Sequence, residues 1–277
     1  MSLKLNRLTP TIGAVVEGLQ IAAPLTEADR CAIEAALVEH QVLFFRDQQV
    51  TPAEHRNFAA RFGKLHVHPI YPKHETADEI IVLDTDLVDL QDNAIWHTDV
   101  TFSKTPPLGA VLVARLLPPI GGDTLWANCM AAYDALSPSY QRFLRELSAT
   151  HNITQSFPAA RFAMTGEARE RLATATQKNP PVTHPVIRTH PVSKRQAIFV
   201  QDGFTTHINE LTQAESQTVL SHLYAHCVKP EFTVRWKWRD GDVAFWDNRC
   251  TQHYASDDYR PARRVMHRAT IIGDVPV

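Results

Sequence analysis

Hydrophobic residues along the chain follow two different spacings, and the helical spacing comes after three similar starting signals. Thr26, Thr51 and Thr212 each precede a stretch with helical apolar spacing and have an acidic residue three positions later, which is the pattern of an N-terminal capping box. Pro52, at the first helical position, strengthens the second of these starts. The predicted helices cover residues 26–40, 51–62, 128–136, 137–148, 167–176 and 212–226.

Short runs of β-branched and aromatic residues predict strands between these helices. The run Val42–Phe45 is apolar throughout, which is typical of a strand buried on both faces. The other predicted strands lie within 11–25, after the turn at 121–123, and over 79–83, 96–102, 108–115, 183–189, 196–201, 232–238, 243–246 and 264–272. Strands and helices do not alternate regularly, which argues against a doubly wound α/β sheet. We expect a mainly β, α+β fold with a double-stranded β-helix core (a cupin-like jelly roll) and helical decoration.

The length of 277 residues fits one such domain, because barrels and jelly rolls often exceed about 200 residues as a single unit. No internal repeat, low-complexity segment or linker divides the sequence, so we expect a single domain over residues 1–277. Residues 151–180 show little periodicity apart from the helix predicted at 167–176. A long insertion of this kind in a compact domain often covers an active site, and we expect a lid over about 151–180.

Composition and charge narrow the classes of partner. The chain has 28 Lys and Arg against 30 Asp and Glu, which argues against nucleic acid or an anionic membrane as the main partner. Its four cysteines are scattered without a Cys-x-x-Cys pair, which disfavours a zinc-finger-type site and a disulfide framework. No signal-peptide core and no run approaching 18 apolar residues is present, so we expect a cytoplasmic protein without a membrane span.

His97 and Asp99 form the one His-x-Asp pair of the chain, and about one such pair is expected by chance. If 96–102 is a strand, both side chains point to the same face, because alternate residues of a strand share a face. His253 lies 154 positions after Asp99 and follows a predicted strand. It is the candidate third ligand. Two histidines and one carboxylate leave coordination positions open on a ferrous ion and are typical of non-haem iron oxygenases.

Arg264 and Arg268 share one face of the predicted last strand with Met266, and the two arginines stand about 13 Å apart along it. Two arginines on one apolar face are costly if they are buried and unpaired, so this face is expected to bind anions. Arg264 is the candidate for the distal carboxylate of a dicarboxylate cosubstrate, because a guanidinium binds a carboxylate through two parallel hydrogen bonds. A solvated edge strand is the alternative interpretation.

Longer stretches around these residues carry a family resemblance. They are WHTDVTF at 96–102, GGDTLW at 121–126, HPVIRTHP at 184–191, WDNRCTQHY at 246–254 and RRVMHRATIIGD at 263–274. In this order they resemble the signature motifs of the taurine dioxygenase-like family of iron(II)- and 2-oxoglutarate-dependent dioxygenases. The resemblance runs from about Leu3 to the C-terminus. Three further stretches resemble the substrate-pocket sequences of members that act on taurine, namely LHVHPIYP, SFP and DGFTT.

The resemblance implies Fe(II) as cofactor, with 2-oxoglutarate and O2 as cosubstrates. His97, Asp99 and His253 match the iron ligands. Arg264 and Thr124 match the pair that binds the far carboxylate of 2-oxoglutarate. The positions that match the substrate pocket are His68, Tyr71, Asn93, Val100, Phe157, Phe204 and the sulfonate-binding Arg268. The implied reaction is hydroxylation of taurine at the carbon bearing the sulfonate, giving sulfite, aminoacetaldehyde, succinate and CO2, in a homodimer or homotetramer.

Several alternative functions remain open. A related dioxygenase acting on another alkyl sulfonate, an alkyl sulfate or an aryloxy-carboxylate would keep the metal and 2-oxoglutarate residues and differ in the substrate pocket. A non-catalytic cupin-like protein that binds a metal or an anion is disfavoured, because Arg264 and Thr124 add a cosubstrate site that a passive binder does not need. A zinc hydrolase lacks a general base such as the Glu of His-Glu-x-x-His. His184 and His190 are expected to be structural residues.

Overall fold

The strands of the protein are short, and nearly all of them pair in an antiparallel manner. The computed structural model describes residues 3–87 and 93–277. Within these residues the strands are β1 (Lys4–Arg7), β2 (Ala14–Glu17), β3 (Val42–Phe45), β4 (Leu65–His66), β5 (Lys73–His74), β6 (Ala77–Asp84), β7 (Pro107–Leu116), β8 (Thr124–Asn128), β9 (Ser148–His151), β10 (Val182–Pro185), β11 (Ile187–Thr189), β12 (Gln196–Ile198), β13 (Thr205–Ile208), β14 (Thr233–Trp236), β15 (Val243–Asp247), β16 (Thr251–Ala255) and β17 (Val265–Ile272). The helices are α1 (Glu27–His40), α2 (Pro52–Ala60), α3 (Cys129–Asp134), α4 (Pro138–Arg145), α5 (Ala159–Phe162), α6 (Gly166–Lys178) and α7 (Gln213–Cys227).

Most strands belong to two main sheets. In the described part of the chain the larger sheet has nine strands in the order β1-β2-β3-β15-β7-β17-β6-β5, with β4 also paired to β17. The smaller sheet has the order β14-β8-β16, and β9 to β13 form two minor sheets between β8 and β14 along the chain. Because β17 lies between β7 and β6, the interpretation of the last strand as a solvated edge strand is wrong.

Large aromatic side chains fill the space between the two main sheets. Phe44 of β3 stacks on Trp236 of β14 with ring centroids 4.0 Å apart, and Trp126 of β8 meets the Phe44 ring edge-on at 5.3 Å. Trp126 also lies 5.8 Å from Trp246 of β15. Strands of opposite sheets therefore share one apolar core, and the predicted mainly β jelly-roll fold is confirmed.

Helices α1 and α2 cover the outer face of the larger sheet. Ile33 and Leu37 of α1 and Phe58 of α2 belong to one buried apolar cluster with Phe45 and Phe245 of the sheet. The large sheet is therefore buried on both faces, which explains why Val42–Phe45 is apolar at every position.

The three predicted capping boxes are present. The hydroxyls of Thr26, Thr51 and Thr212 accept the backbone N–H of the acidic residue three positions later, at 3.1, 3.2 and 3.4 Å. In each case the acidic side chain accepts the backbone N–H of the threonine in return. Each box pairs two N–H groups that a helix start otherwise leaves without a partner, and the helices predicted from these starts are confirmed. In the described residues, no helix combines the length and the apolar character needed to cross a membrane.

The prediction of a strand over 96–102 is wrong. His97 makes only an isolated bridge with His253, and turns follow it. Val100 has a φ of 53°, in the left-handed region that a regular strand does not enter. The alternation of His97 and Asp99 along a strand therefore does not exist, and hydrogen bonds from distant side chains shape this loop instead.

The predicted strand over 183–189 is divided into two, because β10 pairs with β9 whereas β11 pairs with β12 in another sheet. Residues 151–180 contain more regular structure than predicted: a 3₁₀ turn at Ile153–Gln155 and α5 precede α6. Leu172 of α6 is part of the core between the main sheets, and Phe162 of α5 packs against it. The lid role of this segment and the organisation as a single domain stay predictions.

Gly109 of β7 occupies a position where the large sheet has no room for a side chain. A Cβ atom there would lie 2.3 Å from the backbone oxygen of Trp246 on the neighbouring strand. We predict that Gly109→Ala lowers the free energy of unfolding by about 1–3 kcal/mol, because the paired strands must move apart. Urea unfolding measures the change. Gly166→Ala is the control, since no atom lies within 4 Å of a Cβ at that helix position, and an equal loss in both variants would contradict the steric explanation.

Candidate active site

The three predicted metal ligands meet although they come from a loop and a strand. His253 lies within β16 rather than after a strand, and its Nε2 atom is 3.9 Å from the Asp99 carboxylate. The Nε2 atom of His97 is 3.8 Å from the same carboxylate. Two backbone hydrogen bonds, 3.0 and 2.8 Å long, join His97 to His253. They hold the two imidazole ring centroids 4.1 Å apart, and all three side chains are buried.

Hydrogen bonding and burial leave these side chains in the protonation states that bind a metal. Nδ1 of His97 lies 2.8 Å from the Ile95 carbonyl oxygen, which can only accept, so Nδ1 carries the proton and Nε2 keeps a free lone pair. Burial lowers the pKa of His97 and holds that of His253 well below its usual range. Burial alone would raise the pKa of the Asp99 carboxyl, but Arg268 and the two histidines outweigh it and lower the pKa to about 2.

The donor set fits one divalent metal ion. Bonds from such an ion to histidine nitrogen and carboxylate oxygen are about 2.0–2.2 Å long, so one ion can bridge ligand atoms about 4 Å apart. The two His–Asp separations lie within that reach, and all three ligand atoms lie within 4.8 Å of one another. The residues present therefore fit a metal of the kind held by a two-His-one-carboxylate set.

Asn248, a residue that the sequence analysis missed, positions the Asp99 backbone. Its Oδ1 accepts the Asp99 N–H at 2.9 Å, and its Nδ2 donates to the Asp99 carbonyl at 3.0 Å. The neighbouring Thr98 hydroxyl donates to the Thr251 carbonyl at 2.9 Å. Asn248 and Thr251 border the turn between β15 of the larger sheet and β16 of the smaller sheet, so the loop with two candidate ligands is tied to the connection that leads into the third. The sequence signals for Asn248 were its place in the WDNRCTQHY stretch and its position five residues before His253.

Asp247 holds that turn in place. The Arg249 guanidinium donates to both Asp247 carboxylate oxygens, at 2.8 and 2.6 Å, and His190 Nε2 donates to one of them at 2.9 Å. His190, Asp247 and Cys250 are close enough to form a second group of metal-ligating atom types. Because Arg249 already neutralises the buried carboxylate, these residues form an ion-pair network rather than a metal centre.

A first cavity extends from the candidate metal ligands to a buried arginine. Its lining residues are Leu83, Asn93, His97, Leu112, Thr124, Trp246, His253, Ala255, Ser256, Asp257, Arg264 and Arg268. Burial lowers the pKa of Arg264 to about 10, so the guanidinium is charged at neutral pH. Its Nε is buried without a hydrogen-bond partner in the part of the chain that the structure describes. A buried cation with one N–H group that lacks a hydrogen-bond partner favours an anion at this end of the cavity.

The Thr124 hydroxyl is arranged to help bind that anion. It accepts a hydrogen bond from Arg264 Nη2 at 3.3 Å and another from Trp238 Nε1 at 3.0 Å. A hydroxyl has two acceptor lone pairs and one proton, so these bonds leave its proton available to a carboxylate. Trp238 is a second residue that the sequence analysis missed, and nothing in its local sequence indicated this contact.

A second cavity contains all the residues predicted for the substrate pocket. It is lined by His68, Tyr71, Asn93, His97, Asp99, Val100, Ser156, Phe157, Phe204 and Arg268. Ser156 is the lining residue that the sequence analysis did not name. The walls formed by Val100, Phe157 and Phe204 are apolar, whereas Arg268 and His68 provide hydrogen-bond donors.

The donors of the second cavity suit an anion. Arg268 Nη1 donates to both Asp99 carboxylate oxygens, at 2.8 and 3.0 Å. His68 Nδ1 accepts the backbone N–H groups of Ile70 and Tyr71, both at 3.2 Å, so its proton is on Nε2. Burial, and then the charge of Arg268, hold the pKa of His68 well below its usual range. His68 is therefore a neutral donor beside a permanent cation.

Comparison with known proteins agrees with this geometry. Residues 4–270 match the family described as "Taurine catabolism dioxygenase TauD, TfdA family". The chain belongs to this family. The alkylsulfatase of Acinetobacter baylyi is 36% identical over 275 residues, which cover 99% of this chain and 86% of the relative. The α-ketoglutarate-dependent sulfate ester dioxygenase of Pseudomonas putida is 36% identical over 281 residues, covering 100% and 92%. An α-ketoglutarate-dependent 2,4-dichlorophenoxyacetate dioxygenase of Cupriavidus pinatubonensis is 32% identical over 296 residues, with 100% of both chains covered.

Solved structures of the TauD/TfdA type share the fold. A taurine dioxygenase from Burkholderia xenovorans superimposes with a TM-score of 0.85 at 33% identity, covering 100% of this chain and 91% of the other. AAD-2 in complex with Mn(II) and N-oxalylglycine gives a TM-score of 0.84 at 28% identity, covering 100% and 99%. As a TauD/TfdA family member, the protein is a dioxygenase that uses Fe(II), 2-oxoglutarate and O2.

In this TauD/TfdA dioxygenase we predict that Asn248→Ala weakens Fe(II) binding by about 10–100-fold, because the Asp99 backbone loses both hydrogen bonds from that side chain. Anaerobic titration with Fe(II) measures the affinity. Asn209→Ala is the control, since Asn209 is exposed and bonds to Ser148 outside both cavities. Wild-type affinity for Fe(II) in the Asn248 variant would show that the two Asn248 hydrogen bonds do not position Asp99 for metal binding.

Proposed function

We propose that the protein oxidises a small organic sulfonate or sulfate ester at the carbon next to the sulfonate or the sulfate oxygen. The observation that carries the proposal is the division of the buried space around His97 into two cavities. One cavity reaches Arg264, whose Nε has no hydrogen-bond partner among the described residues, and the other joins Arg268 and His68 to apolar walls. Two anions can therefore be bound side by side, one as cosubstrate and one as substrate.

The first cavity is the proposed 2-oxoglutarate site. Its far end presents the Arg264 guanidinium and the Thr124 hydroxyl proton, which together match a carboxylate. Its near end is formed by His97 and His253, so a dicarboxylate bound at Arg264 would extend its keto acid end towards the metal.

The second cavity is the proposed substrate site. Sulfonates and sulfate esters are anions at cellular pH, and Arg268 with neutral His68 binds them without any change of protonation. Phe157 and Phe204 would keep water away from the reacting carbon. We assign Tyr71, Asn93 and Val100 to the remaining wall around the substrate.

His97, Asp99 and His253 would hold the Fe(II), which supplies the oxidising chemistry from O2 and 2-oxoglutarate. In the overall reaction 2-oxoglutarate becomes succinate and CO2, taking up one oxygen atom, and the substrate carbon gains a hydroxyl group from the other. A hydroxyl group beside a sulfonate makes the carbon–sulfur bond break to sulfite and an aldehyde. The same hydroxyl on a sulfate ester releases sulfate and an aldehyde.

Two substrate classes compete within this proposal. The relatives at 36% identity are named for alkyl sulfates and sulfate esters, and the pocket walls are apolar, which supports alkyl sulfates as the first candidate. Taurine, expected from the motifs, is the second candidate. The taurine ammonium group needs hydrogen-bond acceptors, and the described lining offers two of them, Asp99 and Asn93 Oδ1. Asn93 Oδ1 also accepts a hydrogen bond from the Tyr71 hydroxyl at 3.4 Å. The homodimer or homotetramer and the cytoplasmic location stay predictions.

The proposed reaction is tested by its products. The protein is loaded anaerobically with Fe(II) and 2-oxoglutarate, given O2, and offered alkyl sulfates, alkyl sulfonates, taurine and aryloxy-carboxylates in separate assays. We expect substrate-dependent succinate with an equal amount of sulfate or sulfite. Succinate that depends only on an aryloxy-carboxylate would contradict an organosulfur substrate while leaving the dioxygenase class intact.

The two arginines are predicted to bind different anions. Arg264→Met should weaken 2-oxoglutarate binding at least about 30-fold, because a buried charged contact is lost, and should leave substrate affinity within about threefold. Arg268→Met should do the reverse. Separate titrations of each anion at saturating Fe(II) measure both affinities. Arg263→Met is the matched control, because Arg263 is half exposed and pairs with Asp84 outside the cavities. Equal loss of both anions in either cavity variant would refute the assignment.

A further inference from the structure

A surface groove lies next to the second cavity, and none of its described lining residues is a candidate metal ligand or lines the first cavity. The groove runs between the segment 70–72 and residues of α5 and α6, among them Phe162 and Leu172. Among the described lining residues of the two spaces, Tyr71 is the one that borders both. The Tyr71 side chain thus lies between the proposed substrate site and an opening at the protein surface.

The partition between the second cavity and the groove is aromatic. The Tyr71 ring lies 4.8 Å from the His68 ring and 5.7 Å from the Phe157 ring, measured between centroids. Phe157, which faces the cavity, lies 5.0 Å from Phe162, which faces the groove. The Tyr71 hydroxyl donates to Asn93 Oδ1 at 3.4 Å, a long hydrogen bond. Apolar surface is therefore continuous from the cavity past Tyr71 to the groove.

The groove has the chemistry of a site for an alkyl chain. Ile70, Phe162 and Leu172 give it apolar walls. Arg161 lies over the Phe162 ring at 5.8 Å, and Arg171 contributes to the lining, so both arginines can cover apolar surface with their methylene stems. A carboxylate in the groove would repel an anionic amphiphile. The described lining of the groove contains none.

We propose that this groove binds the apolar tail of the substrate and that Tyr71 determines how long a tail the enzyme accepts. The proposal rests on the proposed function, in which Arg268 and His68 hold the sulfate or sulfonate head. A short chain fits inside the second cavity with Tyr71 in place. A longer chain must displace the Tyr71 ring and lose its packing on Phe157, so the wild-type enzyme favours short chains although the groove could accommodate long ones.

The test compares kcat/KM for octyl sulfate and butyl sulfate, using sulfate and succinate release. In Tyr71→Ala the octyl-to-butyl ratio should rise at least about tenfold over wild type, because burying one methylene is worth up to about fourfold and four are added. Tyr71→Phe is the matched control: it keeps the ring and loses the hydroxyl, so its ratio should stay at the wild-type value. Adding Phe162→Ser to Tyr71→Ala should remove most of the gain, since it makes the groove wall polar.

The outcomes separate this inference from the function on which it rests. An unchanged ratio in Tyr71→Ala, with butyl sulfate still converted, overturns the tail site and leaves the proposed function standing. A raised ratio that survives Phe162→Ser also overturns it, because the tail would then lie elsewhere. Lack of sulfate or sulfite release from every chain length, in wild type and variants, overturns the proposed function itself. If Tyr71→Ala does not fold, Tyr71→Leu is measured instead, with a smaller increase expected in the same direction.

Discussion

Burial of two arginines in the middle of a sheet is the constraint on which the rest of the site depends. Arg264 immediately precedes β17 and Arg268 lies within it, and neighbouring strands flank β17 on both sides. Both side chains are buried, so neither reaches solvent around a sheet edge. Arg268 is neutralised by Asp99, whereas the Arg264 guanidinium has only the Thr124 hydroxyl as a hydrogen-bond partner in the described residues. A buried charge without an ion-pair partner among these residues favours an anion, and a dicarboxylate cosubstrate is the anion that we propose for this place.

The turn that connects the two main sheets organises the other side of the site. The β15–β16 turn provides Asn248 to the Asp99 backbone and the Thr251 carbonyl to Thr98, and β16 provides His253 itself. The buried Asp247–Arg249 ion pair stabilises this turn. Two imidazoles and a carboxylate can therefore converge without a continuous strand under His97 and Asp99. This support lets a loop, rather than a regular element, present two of the three candidate ligands with defined geometry.

The segment 151–180 forms walls of both the second cavity and the groove. Its residues Ser156 and Phe157 line the second cavity, while Phe162 and Leu172 line the groove beyond Tyr71. The metal ligands and the Arg264 end of the site come from other parts of the chain. Changes in this segment can therefore alter the shape of the second cavity and the groove while the candidate metal ligands and Arg264 stay in place. Relatives named for alkyl sulfates, sulfate esters and an aryloxyacetate match this chain over nearly its whole length.

Local patterns were sufficient for the parts of the protein that depend on neighbouring residues. The capping boxes located three helices, because a cap needs only the residue three positions away. Alternation along β17 correctly put Arg264, Met266 and Arg268 on the buried face, with Val265 and His267 less buried. The irregular order of strands and helices predicted the jelly-roll class, and the motifs led to the family.

Tertiary structure alone decided the contacts between distant parts of the chain. Arg268 and Asp99 are 169 positions apart and Asn248 and Asp99 are 149 apart, so no local spacing predicts either contact. The prediction of a strand at 96–102 failed for the same reason, because hydrogen bonds from the distant β15–β16 turn outweighed its local alternation. The separation of two cavities by side chains of different elements also depends on strand order and packing. A sequence pattern records which residues can face the same way, whereas the folded chain determines which of them meet.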